Sequence, residues 1–185
     1  MIIVFEYIFL FSALLLIAAV LIFVSNLFYN TIRVKVPYIK TSRWAIKTTL
    51  KEINPKKEDK VVELGCGNAR VIRAIKKKYP EIKARGYEVA WWPYLKAKQK
   101  IKKDNLNIDL IRKNFYNVDL SDSDIIFCFL ISSVMPRLEK KLKKELKPGA
   151  IVISYIFTFP HWPAKKVIKN PKRSGASRIN IYQKT

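Results

Sequence analysis

The first hydrophobic segment of the chain is long and almost uncharged. It reads IIVFEYIFLFSALLLIAAVLIFV over Ile2–Val24, in which 17 of 23 residues are Ile, Leu, Val or Phe and Glu6 is the only charge. A helix of this length reaches roughly 34 Å, enough to cross a hydrocarbon core of about 30 Å. One carboxylate near the end of the segment does not outweigh so many apolar side chains. The pattern predicts a single transmembrane helix, assigned to residues 1–26.

The flanks of this segment distinguish an anchor from a cleaved signal peptide. No basic residue precedes the apolar run, and SNLFYN follows it without a small-residue cleavage pattern, so a signal peptide is disfavoured. Basic residues come soon afterwards, at Arg33, Lys35, Lys40, Arg43 and Lys47. Because basic flanks stay in the cytoplasm, we expect a single-pass protein with its N-terminus outside and its remaining chain cytoplasmic.

Beyond the anchor, apolar runs of strand length alternate with runs of helical spacing. Residues 27–55 are assigned to a connector (26–40) and a helix that starts at Thr41, capped by Thr41 or Ser42, and stops near Asn54-Pro55. Strands are predicted at Lys60–Leu64, Ala84–Val89, Ile108–Arg112, Asp124–Leu130 and Ala150–Phe157, with weaker candidates at Lys165–Ile168 and Arg178–Tyr182. Helices are predicted at Asn68–Tyr79, Pro93–Lys103 and Ser133–Leu146, and a surface turn at Pro171–Ser177. This alternation indicates an α/β domain over residues 56–185, with a mainly parallel sheet covered on both faces.

Charge and cysteine content restrict the partners and the chemistry. The formal net charge is +22, from 36 Lys and Arg against 14 Asp and Glu, and every basic residue follows the anchor. Such a field attracts anionic surfaces, so anionic lipid is a candidate partner and nucleic acid is the alternative. Cys66, Cys128 and the single histidine, His161, are too few for a zinc site of about four such ligands. We expect no metal centre.

The most informative motif is VVELGCGNAR, Val61–Arg70, a predicted strand that runs through a Gly-x-Gly turn into a helix. A dinucleotide fingerprint needs a small residue where Arg70 stands. Glu63 would also oppose a pyrophosphate, because like charges repel strongly in a partly desolvated site. S-adenosylmethionine carries an ammonium and a sulfonium and no phosphate, which suits Glu63. Gly65 and Gly67 would let the backbone approach that ligand closely.

A second carboxylate follows at the end of the next predicted strand. Glu88 stands 21 residues after Gly67, where it could accept hydrogen bonds from ribose hydroxyls. Cys66 joins the cofactor-binding loop as a small residue and is not expected to be a catalytic thiol. The sequence GxxxxGK[ST] does not occur, which excludes a Walker A loop. The loop and the spaced acid together favour S-adenosylmethionine.

In these motifs the sequence resembles a family of seven-strand S-adenosylmethionine-dependent methyltransferases with one N-terminal membrane span. Its eukaryotic members methylate lysines of the adenine nucleotide translocase and of the ATP synthase c-subunit. The similar segments cover nearly the whole chain from Val36 onward and are VPYIKTS, VVELGCGNAR, GYEVAWWPYLKAK, Lys113–Ser154 and FTFPHWP. The resemblance implies a Rossmann-like class I methyltransferase fold. It also implies cofactor contacts at Glu63, Gly65, Gly67 and Glu88, and adenine contacts at Asn114 and Phe115.

The chain departs from the family pattern at two places. Asn68-Ala69 stands where the family commonly has Asp-Gly, and Asn114 stands where an acid is common. An asparagine can still hydrogen-bond the adenine amino group, so we expect cofactor binding to be retained.

The catalytic residues are not identified by the sequence, but a substrate channel has candidates. A lysine nucleophile must lose its proton, and a dry aromatic channel would lower its pKa from the reference value of about 10.4. The channel candidates are Tyr38, Phe129, Ser132, Ser133 and Trp162. Ordinary packing is the alternative for each of them, and a lone His161 is more often structural than a base.

Three functions are compatible with the sequence. The leading hypothesis is a membrane-anchored methyltransferase that acts on a lysine of a membrane or membrane-proximal protein. An RNA or small-molecule methyltransferase is the alternative, although FLIS after the fourth strand lacks the N/D-P-P-Y/F motif of amino-group nucleic-acid methylators. A non-catalytic basic membrane protein that retains the fold is the third.

Overall fold

The computed structural model describes residues 2–33, 39–172 and 177–185. The chain divides into two compact units, Met1–Pro37 and Tyr38–Thr185. The predicted Val36-Pro37-Tyr38 end of the connector, and residues 173–176 of the predicted surface turn, lie outside the described residues.

The N-terminal unit contains one long helix, α1, from Ile2 to Arg33. At about 1.5 Å per residue, its 32 residues extend roughly 48 Å. The stretch Glu6–Ser25, with a mean hydropathy of 3.0, is long and apolar enough by length and composition to cross a membrane. Residues 26–33, predicted as the first part of the connector, continue α1. Residues 26–33 contain neither proline nor glycine, so nothing ends the helix there.

The second unit is built on a seven-stranded sheet. Its strands are β1 Lys60–Leu64, β2 Lys83–Tyr87, β3 Ile108–Ile111, β4 Ile125–Cys128, β5 Ile151–Tyr155, β6 Lys166–Lys169 and β7 Arg178–Gln183. The strand order is β3-β2-β1-β4-β5-β7-β6. The first five strands run parallel, whereas β7 is antiparallel to both β5 and β6. The predicted mainly parallel sheet of seven strands is confirmed.

Helices cover both faces of the sheet because its central strands are apolar on both sides. The helices are α2 Arg43–Glu52, α3 Arg70–Lys78, α4 Trp91–Lys103 and α5 Met135–Glu145, with a short 3-10 turn at Phe115–Asn117. Successive residues of a strand point to opposite faces. Val61 therefore packs in the cluster that includes Ile72 of α3 and Ala97 of α4, and Val62 packs in the cluster that includes Leu138 of α5.

Helix starts differ most from the prediction. Helix α2 begins after Ser42, whose hydroxyl accepts the Ala45 N–H at 3.1 Å, as one of the two predicted caps. Helix α3 begins at Arg70 and not at Asn68, because Ala69 has left-handed backbone angles (φ 58°, ψ 35°). Helix α4 begins at Trp91, ahead of the predicted start at Pro93, since proline is tolerated in the first turn of a helix. Helix α2 also belongs to the same compact unit as the sheet.

Candidate active site

The glycine loop lies where the strand order of the sheet reverses. Strand β1 is flanked by β2 on one side and β4 on the other, and the chain crosses to opposite sides from this point. In open α/β sheets a ligand binds in the crevice at the carboxyl ends of such strands. The loop from Gly65 to Ala69 connects β1 to α3 at this crevice.

Glycine lets the loop pack closely against neighbouring residues. Gly65 has a φ of +65°, and a Cβ added to it would lie 2.9 Å from Cδ2 of buried Leu130. Gly67 has a φ of 55°. The Cys66 N–H donates to the Tyr87 carbonyl at 2.9 Å, which holds the loop against the end of β2. A side chain at Gly65 would therefore strain the backbone and displace the loop or Leu130.

Glu63 is a buried acid at the base of the loop. Its Oε2 accepts the Ile72 N–H at 2.9 Å, so it satisfies a free amide of the first turn of α3. Burial raises the pKa of Glu63 to about 8, and the nearby Glu88 adds to that rise. Oε1 accepts no hydrogen bond from any residue that the structure describes. The carboxyl thus has one oxygen committed to the fold and one available to a cationic ligand.

Glu88 connects the loop to the start of α4. One of its oxygens, Oε2, accepts the Gly67 N–H at 2.8 Å, and the other, Oε1, accepts the Ala90 N–H at 2.8 Å. Burial raises the pKa of this carboxyl as well. Each oxygen of a carboxylate can accept more than one hydrogen bond, so ribose hydroxyls could still be accommodated. Glu88 follows β2 directly and does not belong to it, in contrast to the predicted strand end at Val89.

Cys66 is buried between the two acids. Burial raises the pKa of its thiol, and repulsion by Glu63 and Glu88 raises it further. The thiol therefore stays protonated, and a protonated thiol is a poor nucleophile. The position suits a small loop residue, as the sequence predicted.

Asn114 and Phe115 follow strand β3 at the same edge of the sheet. The Asn114 side-chain oxygen accepts the Tyr116 N–H at 3.0 Å and so opens the 3-10 turn. Asn114 is exposed and Phe115 is half-buried, with its ring centroid 4.6 Å from that of Tyr116. The predicted adenine contacts therefore lie at the carboxyl end of β3, beside the strand that leads to Glu88.

A family model, described as the ANTKMT methyltransferase domain, matches residues 63–166. The chain belongs to this methyltransferase family. The resemblance drawn from the sequence is thereby confirmed, and with it the class I methyltransferase fold, the enzymatic class and S-adenosylmethionine as the cofactor. The matched range begins at Glu63 and includes Gly65, Gly67, Glu88 and Asn114.

Curated relatives include an archaeal and two mammalian enzymes. A protein-lysine N-methyltransferase of Saccharolobus islandicus is 34% identical over 72% of this chain and 84% of that protein. The adenine nucleotide translocase lysine N-methyltransferase of Mus musculus is 30% identical over 82% of this chain. The ATP synthase c-subunit lysine N-methyltransferase of Rattus norvegicus is 27% identical over 70% of this chain. The chain spans only 64% and 60% of these two mammalian proteins.

Solved structures share the fold at low sequence identity. An RNA methyltransferase from Salinibacter ruber in complex with S-adenosyl-L-homocysteine has a TM-score of 0.71 and 20% identity, covering 78% of this chain and 93% of that one. An O-methyltransferase from Thermotoga maritima has a TM-score of 0.67 and 13% identity, covering 80% and 68%. At such identities these likenesses show the fold alone.

The predicted channel residues lie in different environments. Phe129, directly after β4, is half-buried, with its ring centroid 4.7 Å from that of Tyr155 at the end of β5. Ser132 and Ser133 are exposed in the turn that precedes α5. Phe129 and the two serines thus follow β4 at the edge of the sheet that carries the glycine loop. Tyr38 lies outside the described residues.

Trp162 is placed as a core residue. It is buried, with its ring centroid 5.6 Å from that of Phe159 and 5.5 Å from that of Tyr182. Since these contacts belong to the hydrophobic cluster beneath α5, its position supports ordinary packing. His161 beside it is exposed, and its backbone N–H donates to Glu139 at 2.9 Å.

One cluster beside the channel candidates was not singled out from the sequence. The Tyr155 hydroxyl lies 3.1 Å from the hydroxyl of Ser42, to which it donates, and 3.1 Å from that of Ser177. These bonds join the ends of β5 and β7 to the start of α2. Within the apolar run Ala150–Phe157, Tyr155 looks like any other buried strand residue. Only its place at the carboxyl end of the strand could have drawn attention to it.

A groove at the opposite edge of the sheet has charges that are already paired. This cavity of about 510 Å³ is lined by residues at the amino ends of β1 and β2. Across it, Lys83 pairs with Glu58 at 2.7 Å and Arg85 pairs with Asp109 at 2.7 Å. Because these charges neutralise one another, the groove offers less to an ionic ligand than the edge with Glu63 and Glu88.

Proposed function

We propose that this protein transfers a methyl group from S-adenosylmethionine to a lysine side chain of a membrane or membrane-proximal protein. The observation that carries the ligand assignment is the pair of buried carboxyls, Glu63 and Glu88, around the glycine loop at the switch point of the sheet. Buried carboxyls without a cation are costly, and a cationic ligand would relieve that cost.

The residues present fit this cofactor. Glu63 would hold its ammonium, Glu88 its ribose hydroxyls, and Gly65 and Gly67 would let the backbone lie against its amino-acid part. Asn114 and Phe115 would contact the adenine. When bound, the cofactor supplies a methyl group on a cationic sulfur. A phosphate ligand is disfavoured by the two carboxyls at the loop.

The protein's own contribution to the transfer is mainly positioning. Aligning two reactants can lower a barrier by roughly 7–11 kcal/mol. The lysine must arrive without its proton, and removal from water beside Phe129 and Tyr155 would lower its pKa. Lysine as the target rests on the relatives, which are named as lysine methyltransferases from an archaeon and from mammals.

The membrane setting rests on α1 and on the residues that follow it. The stretch Glu6–Ser25 would span the bilayer once. Basic residues from Arg33 onward would keep the enzyme domain cytoplasmic and the N-terminus outside. A tethered enzyme meets membrane proteins at a high effective concentration, which favours such proteins as substrates.

Label transfer tests this proposal. Membranes are incubated with methyl-labelled S-adenosylmethionine and the full chain, either wild type, Glu63→Gln or Glu81→Gln. Glu81 is exposed at the opposite edge of the sheet and serves as the matched control. We expect label in protein with wild type and Glu81→Gln, and at least tenfold less with Glu63→Gln.

RNA is the second candidate substrate, and the same experiment includes it. The net charge of +22 favours an anionic substrate. Label that is released by ribonuclease and not by protease would assign RNA and overturn the lysine proposal.

A further inference from the structure

Two tryptophans are exposed next to the cofactor carboxyls. Trp91 and Trp92 open helix α4 and expose 51% and 64% of their surface, and Val89 before them exposes 44%. Each indole carries a cation over its ring: the Arg112 guanidinium lies 5.0 Å from the Trp91 centroid and the Lys96 ammonium 4.8 Å from the Trp92 centroid. We call Val89, Trp91, Trp92, Lys96 and Arg112 the indole patch.

The indole patch continues into a group of cations without carboxylate partners. Helix α4 carries five lysines and no acid. The pKa of Lys100 is lowered by partial burial and then by repulsion from Arg73, Lys40, Arg70 and Lys96, so these charges lie near one another. Arg73 is paired with Asp104. Within the described part of the chain, Lys40, Arg70, Lys96 and Lys100 form no ion pair.

We propose that the indole patch and these cations bind the headgroup region of an anionic lipid bilayer. Tryptophan favours the membrane interface because its ring is apolar and its N–H polar, and Lys and Arg are attracted to anionic lipid. The inference rests on the proposed membrane setting. It adds that the enzyme domain itself contacts lipid, with Val89 adjoining Glu88 of the cofactor site.

The position of Lys40 supports a lipid partner. Lys40 lies two residues after Tyr38, at which the folded unit begins, and the chain before it leads to the candidate span. The cation group therefore includes a residue that is close in sequence to the candidate span.

The geometry of the indoles favours lipid over RNA. Single-stranded RNA binds by stacking its bases on the faces of aromatic rings. One face of each exposed indole is already covered, by Arg112 or by Lys96. Insertion of the ring edge among headgroups leaves those cation contacts intact.

Tryptophan quenching by brominated lipid tests the proposal. All four tryptophans lie in the folded unit, so the span contributes none to the emission. The full chain is reconstituted into vesicles with brominated acyl chains, made of phosphatidylcholine alone or with phosphatidylglycerol added. We expect the anionic vesicles to quench roughly half of the tryptophan emission, since two of four indoles would reach the interface, and the neutral vesicles much less.

Variants identify the residues responsible. Trp91→Ser combined with Trp92→Ser should abolish the additional quenching, whereas Trp44→Phe, at a half-buried position, should retain it. Lys96→Glu should reduce the effect of anionic lipid at least twofold, and Lys57→Glu, at the opposite edge of the sheet, should leave it unchanged.

Different outcomes would contradict lipid binding by the indole patch and the membrane span. Equal quenching in neutral and anionic vesicles, or unchanged quenching in the double tryptophan variant, would overturn the indole patch as a lipid site. Quenching by an RNA oligomer in vesicles without bromine, lost in the double variant, would assign the patch to nucleic acid and also overturn it. Release of the protein from vesicles at high salt would refute the span alone. The quenching assay requires no methyl transfer.

Discussion

We expect the protonation of Glu63 to respond to cofactor binding. Its pKa is raised to about 8 by burial, so below that pH the carboxyl is mostly neutral. An ammonium placed beside it would lower that pKa, and binding would then release a proton. By linkage, affinity for S-adenosylmethionine should rise by up to roughly tenfold between pH 6 and pH 7.

Calorimetry at pH 7 in two buffers of different ionisation enthalpy measures this release. We expect up to one proton per cofactor bound by wild type. Glu63→Gln should bind more weakly and lose most of the pH dependence, because its amide does not titrate. If wild type binds without proton release and with the same affinity at pH 6 and pH 7, Glu63 does not face the ammonium.

Ala69 is an unusual residue for its conformation. The left-handed backbone costs a non-glycine residue about 1–2 kcal/mol. Ala69→Gly should therefore be nearly neutral, because relief of that strain offsets the added chain entropy of glycine and the lost methyl burial. Ala97→Gly, at an equally buried position within α4, should cost about 2 kcal/mol.

Thermal unfolding of the two glycine variants in detergent decides the point. Ala97→Gly should melt several degrees below wild type, and Ala69→Gly close to it. Equal losses in the two variants would show that Ala69 bears no backbone strain.

At the scale of elements, strand positions were predictable and helix starts were not. Strand β4 is a continuous apolar run, and β1 and β5 are mostly apolar, because these central strands are buried on both faces. The start of α3 depends on the conformation of Ala69, which no residue preference indicates. Helix α1 extends beyond the apolar run through SNLFYNTIR, a mixed stretch without proline or glycine in which the sequence marks no helix end.

The glycine loop is the element whose shape the site requires. Gly65→Ala places a methyl group against Leu130 in addition to straining the backbone, whereas Gly149→Ala, at φ +87° with open space around it, adds strain alone. Gly149→Ala should lose about 1–2 kcal/mol of stability, and Gly65→Ala should lose more, because its methyl group also overlaps Leu130. Only Gly65→Ala should lose cofactor affinity, at least tenfold, because only its loop adjoins Glu63 and Glu88.

Comparison of the pair by thermal unfolding and calorimetry separates the two effects. Unchanged affinity in Gly65→Ala, with a stability loss at least as large as that of Gly149→Ala, would place the cofactor away from this loop.

For the whole molecule, the sheet and the enzyme family predicted from the sequence are confirmed, and the cofactor contacts of the glycine loop remain a prediction. Glu63 and Glu88 were predicted from their spacing to the glycines, and they do lie on either side of the loop. Their bonds to Ile72, Gly67 and Ala90 could not be predicted, because those bonds depend on how α3 and α4 meet the sheet. The exposure of Trp91 and Trp92 could not be predicted from the sequence either, since a tryptophan in a helix is usually packed.

The proposed activity of the whole protein is the methylation of lysine in membrane proteins. Mass spectrometry of membranes incubated with the full chain and S-adenosylmethionine tests it most directly, with Glu63→Gln as the comparison. We expect methylated lysine on peptides of integral or membrane-bound proteins with wild type, at least tenfold more than with the variant. Equal lysine methylation in the two samples, with new methyl groups found instead in RNA or in small molecules, would contradict it.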